Sequence, residues 1–238
     1  MKIEILYSEV CNLAGDSMNH RYLKKCLPQA EFVYTGLNDA PAFASEPVQM
    51  VYLGPMSEHT QQLVIERLMP YRETFLKLIE DGTVFLFTGN AGEVLFDEIS
   101  DCDTGKTLKG LGTLPFTAKR KLFDRFNSLF LGESEWGEIV GFKHQFTQWY
   151  GDNSGCSLAR MERGTGINPE TPFDGIRCGN LFATQLLGSV LVLNPPFMKY
   201  LLTLLGAEPK LAFEDAVWEM YRNRLAEFQK PETEFIGH

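Results

Sequence analysis

The chain has 238 residues, of which 44% are hydrophobic and 22% charged, and a formal net charge of −9. A chain of this length buries roughly 70–75% of its unfolded surface, so it needs no disulfide or metal staple to fold. The acidic balance excludes nucleic acid and an anionic membrane surface as principal partners, because both require a basic face.

Five cysteines, Cys11, Cys26, Cys102, Cys156 and Cys178, form an odd set without a C-x-x-C spacing, which suggests neither a disulfide framework nor a zinc knuckle. The opening MKIEILYSEV carries Glu4 inside its apolar run and lacks the h-region of a signal peptide. No run approaches the ~18 consecutive apolar residues of a membrane-spanning helix. The expectation is a reducing, cytoplasmic setting with no metal and no cofactor. One local basic patch, Lys119-Arg120-Lys121 with Arg125, reads as a solvated strand face or, more specifically, as a seat for a small anionic ligand or an acidic partner.

In chain order, Lys2 to Tyr7 alternates as a first strand and Asn19 to Leu27 follows as a helix with Tyr22, Leu23 and Cys26 on one side. Glu31 to Tyr34 and Val48 to Leu53 read as the second and third strands. Ser57 caps a helix with Leu63, Val64 and Leu68 on its apolar face, and Pro70 interrupts it and opens the next. Gly82 ends that helix just before the apolar run Val84 to Phe87, a buried strand. Thr88-Gly89-Asn90-Ala91-Gly92 then turns into the helically spaced Glu93 to Phe96. Strand, tight turn and helix in succession form a nucleophile elbow, with Thr88 as the lifted side chain.

The alternation over the first hundred residues predicts a flavodoxin-like, doubly wound, mostly parallel sheet. Beyond it, Phe116 to Lys121, Ser128 to Leu131 and Glu138 to Phe142 are short strands, and Gly151 to Asp174 is a long irregular segment, mobile or functional. Ile176 to Leu187 ends in a core strand. Pro195 to Leu205 and Phe213 to Phe228 are helices, the second striped by Phe213, Ala216, Val217, Met220 and Phe228 as core packing. No linker or repeat interrupts the chain, which predicts one domain over 1–238 with a helical C-terminal extension at about 209–230.

Several segments between Lys2 and about Leu205 resemble a known family. Val51-Tyr52-Leu53-Gly54-Pro55-Met56-Ser57-Glu58 is similar to a strand and glycine loop that supplies an oxyanion-hole amide. Ile79-Glu80-Asp81-Gly82 and the strand into Thr88-Gly89 resemble an approach to a nucleophile, and Leu108-Lys109-Gly110-Leu111-Gly112 a "GLG" segment after it. Glu138-Ile139-Val140-Gly141-Phe142 resembles a strand leading to a glutamine-side loop. Gly175-Ile176, Asn180-Leu181, Thr184, Leu186 and Gly188 fit a last-strand N-L-x-x-T-x-L-H-G pattern. Together these segments resemble class I glutamine amidotransferases of the cobyric-acid-synthase-like branch, and within it the glutaminase subunits of lipid II isoglutaminyl synthases.

The departures fall at the chemistry. The resemblance implies a cysteine at Thr88, a histidine at Leu187, an acid at Ser189 and a glutamine at Gly92. A threonine hydroxyl needs a neighbouring base to attack, and Leu187 accepts no proton. Gly54, Gly89, Asn90 and His144 are the remaining pocket residues. Cys178, nine residues before Leu187 on one strand, would stand ~30 Å away. His20, His59 and His238 have no visible catalytic partner, and Glu93 with Asp97 reads as a charged helix face.

Two functional readings follow. In the first, the chain keeps an amidotransferase fold without glutaminase chemistry and acts as a binding, regulatory or partner subunit. The resemblance then implies a Mur ligase-like synthetase partner. In the second, it is an amidohydrolase or amidotransferase using Thr88 or Cys156 as nucleophile with His144 as base. A weaker third reading makes Thr88-Gly89-Asn90 an anion cradle, although the similar flavodoxin loop follows the first strand and this one the fourth.

Overall fold

The computed structural model describes residues 1–237; His238 lies outside the described residues. The first half builds the frame. Strand β1 (Lys2–Leu6) is followed by helix α1 (Ser17–Cys26), β2 (Glu31–Thr35) and β3 (Met50–Leu53). Helices α2 (Glu58–Leu68) and α3 (Arg72–Glu80) come next, and then β4 (Val84–Thr88). Ser57 caps α2 as expected, its hydroxyl accepting from Thr60 N at 3.2 Å.

All residues of β3 and β4 are buried, which is why both read as continuous apolar runs rather than alternating ones. Their alternation instead sorts side chains between two cores. Val51, Leu53, Phe85 and Phe87 meet Val64, Ile65 and Phe75 of α2 and α3 on one face. Ile3, Ile5, Met50, Tyr52, Val84 and Leu86 meet Tyr22 and Leu23 of α1 on the other. Glu4 of β1 is buried but satisfied: it accepts from Thr35 Oγ1 (2.5 Å), Ala42 N (2.6 Å) and Phe43 N (2.9 Å).

The middle of the chain is β-rich. Strands β5 (Glu98–Asp101), β6 (Thr107–Lys109), β7 (Thr117–Arg120), β8 (Phe126–Ser134), β9 (Gly137–Gln145) and β10 (Thr147–Tyr150) precede β11 (Ala159–Arg163) and β12 (Phe173–Asp174). They form two smaller sheets, one ordered β10-β7-β5-β6 and one built around the β8–β9 hairpin. The irregular segment expected at 151–174 therefore contains two strands. It is pinned by Lys143, fully buried, whose Nζ donates to Thr165 O and Gly166 O at 2.9 Å and pairs with the buried Asp174 carboxylate.

The single strand expected from Ile176 to Leu187 is instead a hairpin, β13 (Ile176–Cys178) and β14 (Leu181–Thr184), turned at Gly179 with φ +59°. Asn180 fixes this turn by donating to Gly82 O at 2.7 Å. The finished sheet has the order β13-β14-β4-β3-β1-β2, parallel except at the β13 edge. Its core order 2-1-3-4 is the doubly wound arrangement expected. Helices α4 (Val190–Leu193), α5 (Pro195–Leu204) and α6 (Glu214–Phe228) follow, and β15 (Ile236–Gly237) pairs with β8. Phe213 and Ala216 leave the expected stripe: Phe213 precedes α6 in a left-handed conformation and is 69% exposed, and Ala216 is exposed, while Val217, Tyr221 and Phe228 are buried. Among the described residues no helix is long and apolar enough to cross a membrane.

Candidate functional site

In an open α/β sheet, ligands bind beyond the carboxyl ends of the parallel strands. Pro55 and Met56 beyond β3, Gly89 and Asn90 beyond β4, and Gln185 and Leu187 beyond β14 wall a cavity of about 310 Å³, which Gly54 itself does not line. Leu13 and Ala14 close one side. Arg125 and the run His144-Gln145-Phe146-Thr147, from the end of β9 into β10, close the other.

The backbone at the end of β4 corrects the sequence reading of the elbow. Thr88 is extended, with φ −114° and ψ 152°, and is the last residue of the strand. The left-handed residue is Gly89, with φ +58°. Thr88 is not lifted above the sheet: it is fully buried, and its hydroxyl donates to Asp16 Oδ1 at 2.6 Å. Asp16 also accepts from the Tyr52 hydroxyl and from Asn19 Nδ2 (3.0 Å), and Asn19 reaches Gly188 O at 2.8 Å. Burial pushes the Asp16 carboxyl up to about 6 against the pull of these hydrogen bonds. Thr88 is thus one donor in a buried network.

Gly89 has no room for a side chain. A Cβ there would stand 2.6 Å from Pro55 Cβ and 2.8 Å from Leu187 Cδ2. Leu187 reaches this point because Gly89 N donates to Leu186 O at 3.3 Å and Leu187 N to Phe142 O at 2.9 Å. Leu187 thus meets Gly89 rather than the Thr88 hydroxyl. Asn90 is fully committed to the neighbouring loop, accepting from Met56 N at 3.0 Å and donating to Met56 O at 2.8 Å. With Pro55 lacking an N–H and the Met56 amide occupied, neither offers a free donor to a developing oxyanion. The turn after Gly89 is a seven-residue 3-10 helix, Gly89–Leu95, in place of the expected α-helix.

Glu93 and Asp97 do not share a charged face. Asp97 is exposed, whereas Glu93 is buried on the cavity wall, accepting from Gln61 Nε2 (2.9 Å) and Trp149 Nε1 (3.2 Å). Arg120 Nη2 lies 4.0 Å from Glu93 Oε2 and donates to Gln61 Oε1 at 2.5 Å. Burial outweighs these contacts and pushes the Glu93 carboxyl up to about 7. The basic patch is accordingly split: Arg120 is buried behind Glu93, while Arg125 stands at the cavity over the Phe146 ring, 4.8 Å from its centroid.

Other expected site residues are placed as follows. His144 lines the cavity, its Nδ1 bonded to Asn127 Oδ1, and burial with nearby Arg125 lowers its pKa. Gly54 passes so close to Cys11 O that a Cβ there would stand 2.5 Å from it. Gly92 faces Trp149, 2.8 Å from where its Cβ would be. Ser189 precedes α4, its carbonyl accepting from Val192 N and Leu193 N at 3.0 Å, and does not line the cavity. Cys156 does not line it either. Its thiol sits beside Cys178 and is pushed up to about 11, chiefly by burial. Cys178 pairs with Leu181 at the start of β14, so the hairpin, not an extended strand, keeps it from the cavity end. His20 is buried beside Tyr34 and Tyr52, and His59 is exposed on α2. Among the described residues no group of three His, Cys, Asp or Glu is placed to hold a metal ion.

No protein-family model matches the chain. It is 26% identical over 197 residues to the lipid II isoglutaminyl synthase (glutamine-hydrolyzing) subunit GatD of Staphylococcus aureus (strain N315), covering 83% of this chain and 78% of that protein. Its fold is similar to the PurLQS structure from Thermotoga maritima, with a TM-score of 0.56 at 13% identity over 94% of this chain and 98% of the other. A glutamine amidotransferase structure gives a TM-score of 0.56 at 18% identity over 86% of this chain and 99% of the other. The chain is class I glutamine amidotransferase-like. In this amidotransferase-like chain, the features that sequence reasoning missed are the Asp16 network, the Arg120–Gln61–Glu93 contacts and Gln185. Of these residues, Arg120 and Glu93 stand out in the sequence, one in a basic patch and one paired with Asp97, and neither signal points to the contact between them.

Proposed function

We propose that this amidotransferase-like chain does not hydrolyse glutamine and serves as a binding or partner subunit. On this reading Gly89 stands at the nucleophile position, Leu187 at the histidine, Glu93 at the glutamine and Ser189 at the acid. The observation that carries it is the filled space at Gly89: Pro55 and Leu187 occupy the volume in which an attacking side chain and its base would meet. Without nucleophile and base, catalysis of acyl transfer falls by many orders of magnitude. The hydroxyl of Thr88, turned to Asp16, and the thiol of Cys156, outside the cavity, supply no substitute.

The likeness to GatD, named as a subunit of a synthase, supports a synthetase partner of the Mur ligase-like kind and a place in the cobyric-acid-synthase-like branch. The same reading takes 1–238 as one domain with a helical extension at about 209–230, working in the cytoplasm. The test is ammonia release from glutamine by purified protein, alone and with its synthetase partner. Turnover above that of buffer overturns the proposal; none is expected.

A further inference from the structure

Hydrogen-bonding capacity on the cavity wall is unbalanced toward acceptors. Asn90 is spent on Met56. Gln185 is buried, and its Nε2 donates to Thr147 O at 2.9 Å, which fixes the amide orientation and leaves Oε1 without a partner. Each Glu93 oxygen accepts one hydrogen bond, whereas a carboxylate offers about four lone-pair sites in all. Against these acceptors stands one exposed cation, Arg125, with Arg120 behind Glu93. Glu58, His144 and Thr147 add further polar groups, and Pro55, Met56 and Leu187 form an apolar part of the wall.

A buried acceptor left unpaired keeps its desolvation cost, which a donor-bearing ligand recovers on binding. We propose that this cavity binds a small primary amine, its ammonium group donating to the Glu93 carboxylate and to Oε1 of Gln185, with its alkyl part against Pro55, Met56 and Leu187. A volume of about 310 Å³ limits the ligand to roughly the size of a single amino acid. The inference rests on the non-hydrolytic reading only in taking the cavity as a seat for an unreacted ligand.

The experiment is calorimetric titration at pH 8 with n-butylamine, using n-butanol as the shape-matched neutral control. Saturable binding of one butylammonium per chain is expected, with none from butanol, and Glu93→Gln is expected to weaken it by about tenfold or more. Leu187→Phe, which fills the cavity without touching the carboxylate, is expected to abolish it and carries the test should Glu93→Gln unfold. Butylammonium binding no better than butanol, or binding unchanged by Leu187→Phe, overturns the inference. Ammonia release from glutamine would overturn the non-hydrolytic reading instead, so the two failures are distinct.

Discussion

Leu187 Cδ2 stands 2.8 Å from the point a Cβ of Gly89 would occupy, so the ends of β14 and β4 interlock only because residue 89 has no side chain. Pro55 Cβ closes the same point from the other side at 2.6 Å. Gly89→Cys is therefore expected to destabilise the fold by about 1–3 kcal/mol through overpacking, with a further cost from the left-handed backbone. It is expected to release no ammonia from glutamine. Urea denaturation and an ammonia assay check both, and the double variant Gly89→Cys/Leu187→His should stay inactive because Pro55 still fills the site.

Thr88 acts on stability. Thr88→Val keeps the shape and removes the donor to Asp16, leaving a buried carboxylate short of one partner. A loss of about 1–3 kcal/mol in chemical denaturation is expected, with binding at the cavity unchanged.

The Glu93 carboxyl sets a pH dependence. Its pKa rises from 4.5 to about 7 on folding, so between these values the folded chain holds a proton that the unfolded chain has released. Its stabilising contribution is complete below pH ~4.5 and is lost as pH rises to about 7, a change of about 3 kcal/mol. The groups around it are Gln61 and the more distant Glu58 from α2, Trp149 from β10 and Arg120 from β7. Glu93→Gln should flatten the fall in stability between pH 5 and 7, measured by urea midpoints at several pH values.

Lys143 and Asp174 are both fully buried, and removing one leaves the other uncompensated. Lys143→Met is expected to cost about 3–5 kcal/mol, and adding Asp174→Leu should recover much of that. Thermal melts of the single and double variants report the difference.

The sequence made the frame legible because parallel strands buried on both faces cannot hide their composition, as in Val84 to Phe87. At the end of β4 the sequence points to Thr88 while the left-handed turn falls on Gly89, for a physical reason. A hydroxyl invites a catalytic role, yet that of Thr88 completes a buried contact made across 72 positions of chain. The residue carrying the turn is a glycine, whose missing side chain leaves no chemistry to read. Arg120 looked solvated because its partner Gln61 lies 59 residues away. The β13–β14 hairpin was hidden inside one apolar run whose turn depends on Asn180 reaching Gly82.

The reciprocal pairing of Asn90 with the main chain of Met56 fastens the loop that leaves β4 to the loop that leaves β3. A displacement of either loop has to break two hydrogen bonds or carry the other with it, so these two rims of the cavity form a single lip.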